Sequence, residues 1–288
     1  MKDLTICIPT FNRDNFLQWT LDKTVADFGD VKIIISDNGK SAIRPPNGRY
    51  LRQPTNVGAF PNMRTALLAA STKYCMFLAD DDYLLPAEVQ KGIDFLETNP
   101  AVNVYYAPCQ LFDEINQKVN WEAFYPAEDK TFTRADELWN FVIQKHVWPE
   151  HAIYRRAGLQ DILQPRNQAY WCFQDLANAA CRGPIHFAKT PFYRNLTGHP
   201  VGGRVKLGDQ QCLTDFDSYR WGLEVLAHTV FRVALADLSE SPKLKPMIND
   251  MIRQFLWGRY EVASRIHTAN GRLVEANLLK ARMEITGY

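Results

Sequence analysis

Three consecutive aspartates, Asp80, Asp81 and Asp82, close an apolar run from Tyr74 to Leu78. Carboxylates crowded at the end of a buried strand repel one another unless a cation or a donor-rich ligand satisfies them. Hard divalent ions such as Mg²⁺ and Mn²⁺ take oxygen ligands, and commonly bind one or two carboxylates together with substrate phosphates. Two more polar segments come directly after strand-like runs: Pro9-Thr10-Phe11-Asn12-Arg13 after Leu4 to Ile8, and Ser36-Asp37-Asn38-Gly39 after Val31 to Ile35. In open α/β sheets, ligands bind outside the carboxyl ends of the strands. The three segments therefore suit a single ligand, and a nucleoside diphosphate held with a metal ion would complete such a site.

The elements that must bring these segments together are legible in the periodicity. Leu17, Leu21, Val25 and Phe28 repeat on one helical face, and Met63, Ala66, Leu67 and Ala70 mark a second helix. Pro86 fits the first turn of a third, whose stripe is Val89, Ile93 and Leu96. Val102 to Tyr106 closes the series as a strand, while Lys40 to Gly48, with Pro45 and Pro46, reads as irregular. This β-α-β-α-β order predicts an α/β fold, a Rossmann-like, mainly parallel sheet flanked by helices.

Further on, Thr133 and Asp136 resemble a capping box that opens a helix presenting Leu138, Phe141 and Val142. Another helix is expected near Tyr170 to Cys181, then a strand at His186 to Ala188. Residues Gly198 to Gly208, glycine-rich and carrying Arg204 and Lys206, read as a mobile loop able to close over phosphates. From Thr214 the pattern is helical, through Leu223, Leu226 and Val230, then Ile248, Met251, Ile252 and Phe255, then Leu273 to Leu279. The expected organisation is a sheet domain over 1–208 and a C-terminal helical extension over 209–288. Those helices are expected to pack on the sheet domain or on a second copy in a homo-oligomer.

The 33 basic and 32 acidic side chains nearly cancel to a net +1, which gives no support to a dedicated nucleic-acid binder. The six cysteines are dispersed without a Cys-x-x-Cys pair, as in a reduced, cytoplasmic protein. No stretch approaches the about 18 continuous apolar residues that span a bilayer, and Met1-Lys2-Asp3 leads into a strand without a signal-peptide core. Peripheral contact with the inner face of a membrane stays compatible with this composition. Asn195-Leu196-Thr197 fits a glycosylation sequon that a cytosolic chain would leave idle.

In order and spacing, these segments resemble glycosyltransferase family 2, inverting enzymes of the GT-A fold. Ile8-Pro9-Thr10-Phe11-Asn12-Arg13 is similar to the family's opening Pro-Thr-Tyr-Asn-Arg signature, with Phe for Tyr. Ile35-Ser36-Asp37-Asn38-Gly39 is similar to the segment whose Asp binds the nucleobase. Asn56-Val57-Gly58, Asn62 and then Phe77 to Pro86 resemble the Asn-x-Gly stretch and the Asp-x-Asp region. The resemblance covers about residues 3 to 200.

It implies a donor site made of Pro9, Thr10, Phe11, Arg13, Asp37, Asn56 and Asp80, with Arg13 against the diphosphate or the nucleobase. Many relatives read Leu-Asp-x-Asp-Asp. Alignment on Pro86 sets Ala79 at their first Asp, so Asp80 faces the ribose or diphosphate and Asp81, then Asp82, ligates Mn²⁺ or Mg²⁺. His199 is expected to reach the metal or diphosphate, as a histidine after the last sheet strand does in some GT-A enzymes.

An inverting transferase also needs a base for the acceptor hydroxyl. The family often keeps it in a Glu-Asp pair opening a helix well downstream, where this chain has Gln174-Asp175. Asp175 is therefore the expected base, although a carboxylate there also complements a helix dipole; Asp161, Glu150 and Asp113 are reserves. Trp148, His151, Tyr170 and Trp171 are candidates for a sugar-stacking acceptor platform, or for ordinary core aromatics.

The function implied is transfer of a hexose from a nucleotide-diphosphate sugar, UDP-linked by preference, to a glycan or lipid-linked acceptor, in bacterial surface-polysaccharide synthesis. Two other readings stay open. A sugar nucleotidyltransferase shares the sheet and the metal aspartates, but usually has a Gly-rich, basic phosphate loop after the first strand, where this chain has Pro-Thr-Phe-Asn-Arg. An inactive GT-A module, binding nucleotide or a partner, would account for the departures at Ala79 and Gln174.

Overall fold

A computed structural model describes residues 1–122, 126–145, 147, 149–163, 171–202 and 244–286. Trp148, Tyr170, Arg204, Lys206 and the pattern from Leu223 to Val230 lie outside the described residues. The described residues fall into two compact units. One lies within Met1–Arg134, Val147–Asn167 and Trp171–Arg204, and the other is drawn chiefly from Ala135–His146 and Val205–Tyr288.

The first unit is built on an eight-stranded sheet. Its strands are β1 (Leu4–Thr10), β2 (Lys32–Asp37), β3 (Gly48–Arg52), β4 (Tyr74–Phe77), β6 (Val104–Tyr106), β9 (Lys130–Phe132), β10 (Ala152–Arg155) and β11 (Ile185–Phe187). Their spatial order is β3-β2-β1-β4-β10-β6-β11-β9. The block β3-β2-β1-β4 is parallel throughout, and only β10 and β9 run against their neighbours. The mainly parallel α/β architecture is thus as expected.

Strands covered on both faces need apolar side chains at successive positions, and Leu4, Ile6, Cys7 and Ile8 are all wholly buried. Residues 48–52 carry no such run, which hid β3 among the irregular residues around it. Gly48 begins it with φ +146°, and a Cβ there would lie 1.8 Å from the carbonyl oxygen of Ile33, so only glycine allows this pairing. Nothing in the local pattern of residues 152–155 marks β10 as the strand that comes between β4 and β6.

Three helices support the sheet ends: α1 (Asp14–Phe28), α2 (Ala59–Leu68) and α3 (Pro86–Thr98). Leu17, Leu21 and Phe28 of α1 are buried, as are Met63, Ala66 and Leu67 of α2, and Val89, Ile93 and Leu96 of α3. Apart from the smaller Ala66, each such side chain contributes about 1.5–3 kcal/mol over leaving it exposed, which fixes where the loops between strands and helices emerge. The helix α2 packs across β1, β2 and β4.

A second, four-stranded sheet joins β5 (Tyr83–Leu84), β12 (Tyr193–Gly198), β7 (Cys109–Asp113) and β8 (Lys118–Glu122) in that order. It was not anticipated, because its strands are short and half-polar. Its consequence is local: β5 begins directly after the aspartates and pairs with β12, so the triplet is bound to a second layer.

The remaining helices of the first unit are the short α5 (Leu159–Ile162) and α6 (Trp171–Ala180). In the second unit, α4 (Ala135–Gln144) contacts α7 (Leu244–Ala269), and α7 packs along α8 (Leu273–Thr286). No helix of the described residues is long and apolar enough to cross a membrane.

Candidate active site

β1 and β4 are adjacent, yet β2 and β3 continue from β1 in the opposite direction across the sheet. The strand order therefore reverses between β1 and β4, and a ligand crevice opens at such a switch point. Thr10 and Arg13 leave β1 at this crevice, and Asp80 and Asp81 leave β4. Thr10 Oγ1 donates to Asp80 Oδ2 at 2.6 Å. Arg13 spans both carboxylates, with Nη1 donating to Asp80 Oδ1 at 2.7 Å and Nη2 to Asp81 Oδ2 at 2.6 Å. Its guanidinium carbon also lies 4.6 Å from the centre of the Phe16 ring.

Asp80 and Asp81 are only 4% and 5% exposed. Burial pushes the Asp80 carboxyl up to about 6; Arg13 and Thr10 pull it back and Asp81 raises it further. Arg13 bridges two carboxylates with a single guanidinium. Adjacent hard oxygens in such a setting fit a divalent ion that binds one or two carboxylates and completes its shell from diphosphate and water. Among the described residues, no group of three or more His, Cys, Asp or Glu side chains could hold an ion by protein ligands.

Asp82 differs from its neighbours. Its Oδ2 accepts from Tyr193 Oη at 2.9 Å and from Asn195 Nδ2 at 3.1 Å, and its Oδ1 accepts from the Leu196 amide at 2.8 Å. Thr20 Oγ1 donates to its carbonyl oxygen at 3.2 Å. The expected metal ligand is therefore a carboxylate already committed to β12, and it pins the aspartate loop between the two sheets. Asn195, read in sequence as part of an idle sequon, is one of its partners.

The ends of β1 and β2 are held by a polar network. Asp37, wholly buried, accepts from the Gly39 amide at 2.6 Å, the Ser41 amide at 2.8 Å and Tyr50 Oη at 2.7 Å. Asn38 donates to the Gly58 carbonyl and accepts from the Val57 amide, which fixes the Asn-x-Gly loop against β2. Asn56, exposed, accepts from the Gly58 amide at 2.9 Å. Asn62 donates to the carbonyls of Thr10 and Ser36, tying the ends of β1 and β2 together. Such bonds satisfy backbone groups at strand ends that would otherwise be costly to bury.

Between these loops lies a cleft of about 460 Å³ lined by Asn12, Arg13, Asp14, Asn15, Phe16, Lys40 and Ser41. Asn12 adopts φ +54°, and Phe11 stands 44% exposed beside it. Pro9 and Thr10 form the end of β1 behind this loop.

The other expected site residues take up varied positions. His199, 3% exposed, packs 4.7 Å from the Phe16 ring and 4.6 Å from the Trp19 ring. Its Nδ1 accepts from the Val201 amide at 3.1 Å, which leaves the proton of a neutral ring on Nε2. Asp175 lies in α6, buried to 1% exposure, where its charge adds to the upward shift that burial gives the Tyr106 and Tyr154 phenols.

His151 is stacked on Tyr193 at 3.8 Å, and Trp171 lies 5.5 Å from Phe60; both are buried. Of the reserve carboxylates, Asp161 pairs with Arg182 and Asp113 caps the Ile115 and Asn116 amides. Glu150 adds to the upward shift of the Cys109 and Cys172 thiols, which burial dominates.

The glycosyl transferase family 2 model matches residues 5–163, more than half of the chain. An uncharacterised glycosyltransferase of Haemophilus influenzae is 26% identical over 122 residues, covering 38% of this chain and 41% of that protein. An uncharacterised protein of Mycobacterium tuberculosis is 24% identical over 172 residues, covering 55% and 48% respectively. The chain thus matches less than half the length of these curated relatives. Among solved structures, residues 1–349 of S. aureus TarS superpose with a TM-score of 0.55 in complex with UDP and 0.53 in complex with UDP-GlcNAc. Sequence identity is 15% and 16%, with 100% and 99% of this chain and 93% and 92% of TarS covered, a likeness of fold.

Proposed function

Because the chain belongs to glycosyltransferase family 2, we propose that it transfers a hexose, with inversion, from a UDP-linked or other nucleotide-diphosphate sugar to a glycan or lipid-linked acceptor. The observation that carries this reading is the Thr10–Asp80–Arg13–Asp81 cluster, set at the β1/β4 switch point beside a cleft. The TarS complex with UDP-GlcNAc supports a UDP-linked donor. Bacterial surface-polysaccharide synthesis is the setting we favour. We assign the transferase domain to 1–208 and a helical extension to 209–288.

In this reading Asp81, with Asp80 beside it, would hold Mn²⁺ or Mg²⁺. The ion, when bound, supplies positive charge to the leaving diphosphate. Asp37 and Asn56 shape the nucleoside end through the loops they organise, and Arg13 presents a cation from the cleft wall. Asp175 takes the proton from the acceptor hydroxyl as its oxygen attacks the anomeric carbon. The bond from that carbon to the diphosphate breaks, and the nucleoside diphosphate departs as an anion. Asp82 anchors the loop that carries Asp81.

A thermal-shift screen of UDP-, GDP- and dTDP-sugars, each with and without Mn²⁺, tests the donor assignment, because a ligand bound only by the folded chain raises Tm. The expected outcome is a rise with a UDP-sugar that is larger when Mn²⁺ is present. No rise with any of the donors would refute the reading.

A further inference from the structure

We infer that Arg13 is an internal counter-cation that competes with the divalent ion for Asp80 and Asp81, and so couples ion binding to diphosphate binding; this rests on the metal-assisted reading above. The geometry is one of competition. The two guanidinium nitrogens sit 2.7 and 2.6 Å from Asp80 Oδ1 and Asp81 Oδ2, so the fork and an ion draw on the same two carboxylates. An ion that takes those oxygens must displace the fork. The side chain is 26% exposed, rests on Phe16 and lines the cleft, so its release leads toward the diphosphate rather than into the core.

Charge balance sets the order of preference among the bound states. The two carboxylates and the guanidinium sum to −1, and a divalent ion brings the same three groups to +1, which an anionic diphosphate then offsets. An ion arriving alone strands a partly buried guanidinium without its partners, and an unpaired buried charge is costly. A diphosphate arriving alone meets the net negative charge of the pair. Arriving together, the ion takes the carboxylates and Arg13 takes the diphosphate, so every charge keeps a partner. Coupling of this kind is reciprocal: the ion strengthens diphosphate binding by the same factor by which the diphosphate strengthens ion binding.

Asp80 occupies the position left open in Asp-x-Asp-Asp, and it supplies the second carboxylate of the fork. An arginine suits this bridge because its planar fork reaches two carboxylates at once, whereas a lysine is a point charge.

The test is direct Mn²⁺ binding, read as free Mn²⁺ by electron paramagnetic resonance, with and without UDP. The proteins are wild type, Arg13→Gln, Arg13→Lys, Lys40→Gln and Asp81→Asn, each checked for folding by circular dichroism. Arg13→Gln should bind Mn²⁺ without UDP about tenfold more tightly than wild type, with Arg13→Lys in between. Lys40→Gln, which removes a cation from the same cleft without touching the carboxylates, should change that affinity less than about twofold.

Equal effects of Arg13→Gln and Lys40→Gln would reduce the effect to bulk charge and overturn the inference. So would an Arg13→Gln protein with wild-type affinity, in a wild type that binds Mn²⁺ with UDP through Asp81; the metal-assisted reading would then stand alone. Absence of Mn²⁺ binding in every protein, with and without UDP, would overturn both.

Discussion

Tyr193 donates its phenolic hydrogen to Asp82 at 2.9 Å and accepts the Ala79 amide at 3.0 Å, so one side chain of the second sheet holds both ends of the aspartate loop. Asp81 lies within that loop. The pair separates the anchoring role of Asp82 from the ion-binding role proposed for Asp81, and the two can be measured apart.

Asp82→Asn puts an amide group among the donors from β12 and should cost roughly 2–4 kcal/mol of stability. Tyr193→Phe removes one donor and one acceptor and should cost roughly 1–3 kcal/mol. Asp81→Asn should cost little stability but abolish Mn²⁺-dependent turnover. Urea denaturation beside a turnover assay reads both effects. An Asp82→Asn protein as stable as wild type would show that the anchor is not one.

Gly39 and Gly48 predict a second separation. A Cβ on Gly39 would lie 2.4 Å from Asn12 Oδ1, the far end of a side chain that can move, and 3.2 Å from the Asn12 backbone nitrogen. Gly39→Ala should therefore shift the cleft wall and weaken donor binding severalfold at a modest cost in Tm. Gly48→Ala meets the Ile33 backbone and should cost more than about 2 kcal/mol through loss of β3 pairing. Calorimetric titration with a UDP-sugar, paired with thermal melts, distinguishes the two.

Burial lowers His151 from its ordinary 6.5 to about 3, and His186 to about 4. Between those values and 6.5 the unfolded chain binds protons that the folded chain refuses. Stability from these neutral rings is therefore complete above pH 6.5 and is lost as pH falls through the window. Asp80, raised to about 6, acts in the opposite sense between 3.8 and 6. His151→Phe isolates the histidine: wild type should lose about 2 kcal/mol more than this variant between pH 7 and pH 5. Parallel slopes in urea melts across that range would contradict the assignment.

Asp175→Asn should lower kcat about 100-fold or more while leaving the UDP-sugar Kd unchanged, as expected when a general base is removed. Single-turnover kinetics alongside donor titration reads the two quantities separately. Wild-type kcat in the variant would remove Asp175 from the mechanism.

Much of the fold was legible because buried parallel strands and amphipathic helices leave strong local patterns, as at Leu4–Ile8 and at Leu17, Leu21 and Phe28. The strand ends that form the site could be located from those patterns. What stayed hidden depends on contacts between distant segments. Asp82 looks like Asp81 in sequence, and only the arrival of Tyr193, Asn195 and Leu196 on β12 sets it apart. β3, β5 and β12 lack a continuous apolar run and form through partners rather than propensity. His151 and Trp171 read as an acceptor platform or as core aromatics, and their burial shows only in the folded chain. The Arg13 fork likewise needs β1 beside β4 before two separate motifs become one cluster.

Asp81, at the β1/β4 switch point, is the residue on which metal-assisted cleavage of a nucleotide-diphosphate sugar depends in this mechanism. Release of UDP from a UDP-sugar by the purified chain tests that role most directly, measured with Mn²⁺ and with EDTA, for wild type and Asp81→Asn. UDP release by wild type with Mn²⁺, and none in EDTA or from Asp81→Asn, is the predicted result. Equal release in EDTA, or undiminished release by Asp81→Asn, would contradict it.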